Sequence, residues 1–366
     1  MSRRMAWTAG GVVALLAMSV ATAASATAGQ RPAAAPGWHI VKSVQTDLNG
    51  DFTAVVATGA TTGWGFDGIG FSSAPTAWER SGGTWKKVAF PGKTGEKVDV
   101  AAASSPSNVW AVDNVNGGEA QVVRWNGAKW SVVKVFADEI NAISVLAPDD
   151  VWVFGVLAVP HVVAALGVWH YNGHTWSQVA KNISGGSALS ATDVWGFTGT
   201  SVEHWNGHTW KATSVSALLP PKQSTGLNLP QVVAILALSD SNVFAVGNGN
   251  QEDDGGPVVV LHYNGHSWAR VARGLFGFGP EFQQVSSDGG GGLWLAMTGP
   301  AEGGASSLLH YAAGKLTKAA TPGKAGTLTT DAVAQIPGST QQLAGGFTHA
   351  VGNLGANVVA VLLQYS

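Results

Sequence analysis

The side chains best suited to chemistry in this 366-residue chain are its histidines, a few carboxylates and one acidic loop. His170/His174, His204/His208 and His262/His266 recur with i,i+4 spacing, which on a helix would aim two imidazoles at one metal ion. The stretch NGNQEDDGG (248–256) sets side-chain oxygens at Asn248, Asn250, Glu252 and Asp254 ahead of Gly255. That alternation suits Ca²⁺, although the Asp-rich start and closing Glu of a calcium loop are missing. Asp99, Asp331 and Glu281 could act as general acid and base if the fold gathers them. No G-x-S-x-G elbow, H-E-x-x-H or phosphate loop is present. With no cysteine the chain has neither a thiolate metal site nor a disulfide framework.

Whether such groups converge depends on the elements that carry them, and those elements repeat. RWNGAKWSVV (124–133), HYNGHTWSQV (170–179), HWNGHTWKAT (204–213) and HYNGHSWARV (262–271) are one unit, with decayed copies at 79–88 and 310–319. About twenty residues before most of them stands a second signature, as in SPSNVWAV (105–112) and APDDVWVF (147–154). Its aromatic or leucine falls at Trp64, Trp110, Trp152, Trp195, Phe244, Trp294 and Leu343, at spacings of 46, 42, 43, 49, 50 and 49. Seven units of this length are what seven blades of four strands would occupy, so the fold predicted is an all-β, seven-bladed β-propeller. Within a unit, VDVAAAS (98–104) reads as strand A, VWAV as B, QVVRW (121–125) as C and KWSVV (129–133) as D, with Asn-Gly as a two-residue type I′ turn. No stretch keeps a helical period, and helix content should be close to nil.

The chain ends on VVAVLLQYS (358–366), a strand C with no D after it. The missing strand is predicted at the other end, residues 37–42, because Trp38 precedes Trp85 by one period of 47 residues. Pairing of these termini would close the ring and remove the free edges of an open array. In this register each histidine pair lies in a hairpin, with its two imidazoles on opposite faces, and no metal site is expected.

Residues 1–30 have the anatomy of an export signal: Arg3 and Arg4, the apolar GGVVALLAMSV (10–20), then small residues with A-x-A sites. The expectation is a secreted, bacterial-type protein: signal 1–30, flexible lead 31–36 and a single domain 37–366, monomeric and free of the membrane once cleaved. Charged residues make up 11% of the chain and the net charge is −2, so no basic surface exists to attract nucleic acid.

In a propeller, ligands usually meet the face built by the D–A and B–C loops. Counting back 11 residues from each strand-B position gives Thr53, Asp99, Asn141, Ser184, Val233, Gln283 and Ala332, with Asp331 adjacent. This mostly polar ring lines either a water-filled channel or a binding site. Most of the 16 tryptophans occupy the repeated strand positions, where they would fill the wedges between blades. Trp125, Trp205, Tyr171 and Tyr263, beside the hairpins, are the candidates for exposed sugar-stacking platforms.

The units resemble kelch-type blades, in which an apolar strand ending in two glycines is followed by a Tyr and, about six residues on, a Trp: DVWVFG (150–155), Tyr171 and Trp176 keep that order, although only LAGG (343–346) has the paired glycine. The G-x-T/S-W endings at Gly173–Trp176, Gly207–Trp210 and Gly265–Trp268 are similar to Asp-box hairpins, with Tyr171, Trp205 or Tyr263 where the Asp should stand. The resemblance implies a propeller and leaves function open. A copper oxidase of this architecture needs a Cys-linked Tyr, and a sialidase needs three clustered Arg; neither set is present. The expected function is non-catalytic recognition of an extracellular glycan or protein surface through Thr53, Asp99, Asn141, Gln283, Asp331, Trp205, Tyr171 and Tyr263. The alternative is a glycan hydrolase or lyase using Asp99, Asp331 and Glu281. No cofactor is expected, and Ca²⁺ is the one ion for which a partial loop pattern exists.

Overall fold

Alternating apolar residues and frequent glycine turns commit this sequence to short strands. A computed structural model describes residues 36–46, 50–69, 73–115, 118–159, 162–221, 229–249, 257–275, 281–298, 307–323, 327–348 and 358–366. The expected export segment and all of the lead but Pro36 lie outside the described residues, as does most of the acidic loop 248–256.

The described residues form seven four-stranded antiparallel sheets. Strand β1 (Trp38–Gln45) precedes blade one, which comprises β2 (Gly50–Gly59), β3 (Thr62–Ile69), β4 (Thr76–Ser81) and β5 (Thr84–Val88). Blade two is β6 (Glu96–Ser105), β7 (Asn108–Val115), β8 (Ala120–Trp125) and β9 (Trp130–Phe136); blade three is β10 (Glu139–Ala147), β11 (Asp150–Val159), β12 (Val162–Tyr171) and β13 (Trp176–Ala180). Blade four holds β14 (Gly185–Ser190), β15 (Asp193–Thr198), β16 (Ser201–Trp205) and β17 (Trp210–Ser214); blade five holds β18 (Gln231–Ser239), β19 (Asn242–Asn248), β20 (Pro257–Tyr263) and β21 (Trp268–Leu275). Blade six is β22 (Glu281–Ser287), β23 (Leu293–Thr298), β24 (Ser307–Ala312) and β25 (Lys315–Lys318). The last sheet takes β26 (Leu328–Gln335), β27 (Gln342–Thr348) and β28 (Val359–Tyr365) from the C-terminus and β1 from the N-terminus, in the order β1-β28-β27-β26. Among the described residues the sole helical turn is a 3-10 turn at Ser216–Leu218.

Closure follows the expected pairing but runs further, to Gln45, with a bulge between Ile40 and Lys42. Gly37 and Ser366 exchange backbone hydrogen bonds of 3.1 and 3.3 Å. Trp38 stands opposite Tyr365 as Trp176 stands opposite Tyr171 and Trp268 opposite Tyr263, so two chain ends reproduce a contact that elsewhere spans one hairpin.

The hairpins themselves differ from the expected two-residue turns. Tyr171 pairs with Trp176 and His170 with Ser177, leaving a four-residue loop, Asn172–Thr175. Only the glycine has a positive φ, 90° at Gly173. The Asn172 side chain replaces the backbone acceptor of a tight turn, taking hydrogen bonds from the amides of His174 (3.1 Å) and Thr175 (2.9 Å). A Cβ on Gly173 would also sit 2.7 Å from Cβ of Asp149 in the neighbouring A–B turn, so glycine is required twice over. The same Asn arrangement recurs at Asn126, Asn206 and Asn264.

The core lies between blades. The strand-B aromatic of one blade packs on the strand-D tryptophan of the next: Trp64 on Trp130 (5.0 Å between ring centres), Trp110 on Trp176 (6.3 Å), Trp195 on Trp268 (6.0 Å) and Trp294 on Trp38 (5.2 Å). Trp110 is 0% exposed and Trp152 1%. Trp38 therefore both closes the ring and fills the wedge between the last two blades.

Candidate functional site

The inner strands leave a central cavity of about 920 Å³ at the end where each strand A begins. One irregularity recurs in its wall. The ladder between strands A and B skips a residue at Thr53, Asp99, Asn141, Val233, Gln283 and Asp331 in blades one, two, three, five, six and seven. A bulge leaves its extra residue outside the ladder and turns the strand, freeing that side chain to face the axis. All six line the cavity, as does Ser184, just before β14. In blade seven the bulged residue is Asp331, and Ala332 is buried; the A–B turn there is one residue longer than in the other blades.

Stepping two residues back along each inner strand returns to the same side. That second tier contributes Asp51, Lys97, Glu139 and Gln231 to the cavity wall. Sequence reading missed these residues, although extending the count from 11 to 13 reaches them. Glu281 holds the matching position at the start of β22, but its side chain lies outside the described residues.

Some ring residues are committed to holding blades together. Thr53, buried, donates its hydroxyl to the Val98 carbonyl at 2.6 Å, which removes that proton from ligand recognition. Asn141 donates to the Ser184 carbonyl at 3.3 Å and stays exposed. Asn114 bridges blades two and three through Ile140 (3.0 and 3.1 Å) and donates to Asp99 at 2.7 Å.

Charge is concentrated on one side. Asp331, Asp51, Asp99 and Glu139 come from the consecutive blades seven, one, two and three, and Lys97 is the cation among them, 3.0 Å from Asp99. Burial, then repulsion from Asp331, raises Asp51 well above the usual carboxylate range. Burial raises Asp331 to about 7 against the opposing pull of Lys97, and burial also raises Asp99. Among the described residues the remaining wall, from blades four to six, carries no charge: Ser184, Val233, Ile235, Phe282 and Gln283 are typical of it. Outside the cavity, burial, then the hydrogen bond and repulsion of the adjacent Glu96 carboxylate, raise Asp113 to about 9.

The hairpin candidates sit elsewhere. Tyr171 and Tyr263 are half-buried between blades, against Trp110 and Trp195, and each hydroxyl donates to its own loop at Gly173 (2.7 Å) or Gly265 (2.9 Å). Trp205 is half-buried against Trp210 and donates to the Ala191 carbonyl at 3.1 Å. Trp125 is buried. They do not form the exposed platforms expected of them, because each ring is packed against tryptophans of its own or the neighbouring blade.

The histidines explain themselves locally. His170 stacks on Trp152 (4.2 Å) and its Nε2 lies 2.9 Å from Asp150, which also accepts the Trp152 indole N–H at 3.0 Å. His204 repeats the stacking and the bond to the first residue of strand B with Trp195 and Asp193, without the indole bond, and His262 does so with Phe244 and Asn242. The partners His174, His208 and His266 are exposed. Among the described residues no group of three His, Asp or Glu is placed to hold a metal ion.

No family model and no curated protein matches this chain. Solved structures do: YCF48 bound to D1 peptide, 13% identical, with a TM-score of 0.53 over 90% of this chain and 96% of that one, and the WD40 propeller domain of Doa1, 10% identical, with 0.55 over 89% and 97%. The GH74 enzyme of Niastella koreensis, 11% identical, gives 0.52 over 85% of this chain and 53% of that one. At these identities the likeness establishes the fold, a seven-bladed β-propeller, and nothing finer.

Proposed function

We propose that this chain is an exported, non-catalytic binding propeller that takes its ligand in the cavity at the mouth of the central channel. The observation that carries the reading is the bulge in six of the seven inner strands, which turns Asp99, Asn141, Gln283 and Asp331 into one cavity of ligand size. An extracellular polypeptide suits it better than a glycan, because the ring aromatics are packed between blades and, among the described residues, the cavity wall contributes only Phe197 and Phe282 as candidate stacking surfaces. Propellers of the same fold serve both uses: YCF48 was solved with a peptide bound, and GH74 is an enzyme.

A specific observation also favours catalysis as the second reading. Asp331, raised to about 7 beside Asp51, has the character of a general acid, as a glycan hydrolase or lyase would need. Peptide and glycan arrays probed with the purified protein, with and without Ca²⁺, separate the possibilities. A peptide ligand bound without turnover is the expected result. Release of reducing ends from a bound glycan, lost in Asp331→Asn, would replace the binding reading with the hydrolase. Binding that appears only with Ca²⁺ would return the acidic loop at 248–256 to consideration.

A further inference from the structure

The proposal that the cavity binds a ligand leaves the chemistry of that ligand open, and the distribution of charge around the wall narrows it. Lys97 is paired with Asp99, which Asn114 also satisfies, so this part of the wall is internally matched. Asp51 and Asp331 are not matched in the same way. They repel one another, and Oδ2 of Asp331 is buried without a hydrogen-bond partner among the described residues. A buried carboxylate oxygen with no donor is costly, and such a group in a native cavity calls for a missing partner. A metal ion is disfavoured, since no metal-holding group is found among the described residues. An anion would be repelled, and a neutral sugar would leave the two carboxyls with only Lys97, already paired to Asp99, to offset them.

Resting on the cavity reading, we propose that Asp51 and Asp331 receive an alkylammonium group, the side chain of a lysine in an extended polypeptide, whose flanking residues lie along the neutral wall of Val233, Ile235, Phe282 and Gln283. A cavity of about 920 Å³ is too large for one side chain and suits a short segment of chain. Val233 and Phe282 offer apolar contact, while Asn141, Gln231 and Gln283 present amides that can meet a peptide backbone. A free alkylamine carries the same head group but would leave that wall uncovered.

Binding then displaces a proton. With Asp331 at about 7 in the empty cavity, and Asp51 also raised well above the ordinary carboxylate range despite the pull of Lys97 and with Asp99 adding to the repulsion, the pair holds at least one proton below that pH and must release it to accept the ammonium. Affinity for the cation should therefore fall as pH drops below 7, by at most about tenfold per pH unit per proton.

Calorimetric titration at pH 6 and pH 8 tests this with three probes: a short end-capped peptide with one central lysine, the same peptide with that lysine Nε-acetylated, and cadaverine. The lysine peptide should bind, more tightly at pH 8. Acetylation, or the double substitution Asp51→Asn with Asp331→Asn, should weaken it by about tenfold or more. The double variant should melt no lower than the parent, since it removes a buried repulsion, and this shows that lost binding is not lost folding. Cadaverine binding as tightly as the lysine peptide would keep the ammonium and assign it to a free amine. Equal binding of the lysine and acetyl-lysine peptides, or no binding of peptide and amine alike, would overturn the proposal. The cavity reading fails separately, if a ligand found on the arrays still binds when Asn141→Trp fills the mouth.

Discussion

The two ends of the blades are built on opposite principles. At the hairpin end, blades three, four and five repeat one construction: an Asp or Asn opens strand B, an aromatic follows two residues later, and a strand-C histidine stacks on that ring and bonds back to the opening residue. Blade two substitutes Arg124 for the histidine, and blade six reaches His310 from Asp288 across a glycine-rich turn. At the cavity end, the bulge positions read Thr, Asp, Asn, Val, Gln and Asp, and no two adjacent blades agree. Repetition marks what every blade needs in order to pack on its neighbour. Divergence at a position turned to the axis marks where packing leaves room for recognition, even though Thr53 and Asn141 each also bond to the next blade.

If that division holds, damage at the hairpin and closure end should fall on stability. The largest effect is expected from deleting residues 36–46, which removes β1, exposes the edge of β28 and empties the wedge beside Trp294. The product should elute as oligomer or aggregate in size-exclusion chromatography, where the full chain gives a single species. Trp152→Ala should cost about 3–5 kcal/mol in denaturant unfolding, as expected for a large aromatic removed from a filled core. His170→Ala should cost about 1–2 kcal/mol, since it leaves Asp150 with the Trp152 indole alone and uncovers the Trp152 ring, whereas His174→Ala, in the exposed loop, should stay within about 0.5 kcal/mol.

The cavity end should behave differently, with substitutions there costing affinity rather than stability, while Asp113, on β7 outside the cavity, adds a separate pH-dependent contribution to stability. Its folded-state value of about 9 lies far above that of an unfolded aspartate, about 4. Between those limits the native chain holds a proton that the unfolded chain has released, so stability should fall as pH rises through this window and level off above it. Asp113→Asn should remove that slope and raise the melting temperature at pH 8 more than at pH 5. The smallest effect is expected at Gln283→Ala, which should leave the melting temperature unchanged within about 0.5 kcal/mol of stability while lowering ligand affinity.

Much of this architecture was legible because a repeat states each rule several times. The strand-C ending without a partner, VLLQYS, was enough to place Trp38 in the last sheet. The hairpin register was misread because Asn-Gly is written the same way whether the backbone turns in two residues or, as here, an asparagine side chain takes over an acceptor role and lengthens the loop. Tyr171, Trp205 and Tyr263 were legible as lying beside the hairpins, but not the tryptophans that half-cover them, which come from their own or the neighbouring blade. The ring was legible by counting, since the bulge falls 11 residues before strand B's key position in five blades and shifts by one in blade seven. Its electrostatics were not. Asp51 and Asp331 lie at opposite ends of the chain, and only closure of the ring makes them neighbours.

The claim that the cavity end recognises and the hairpin end packs is tested most directly by one comparison of ligand binding. Asn141→Trp, which fills the mouth, and Trp205→Ala, which strips a half-exposed indole from a hairpin, would each be measured against the ligand selected on the arrays. Loss of binding in Asn141→Trp, with full affinity retained by a folded Trp205→Ala, is the predicted result. Retention in the first and loss in the second would contradict the account and return recognition to the hairpin aromatics.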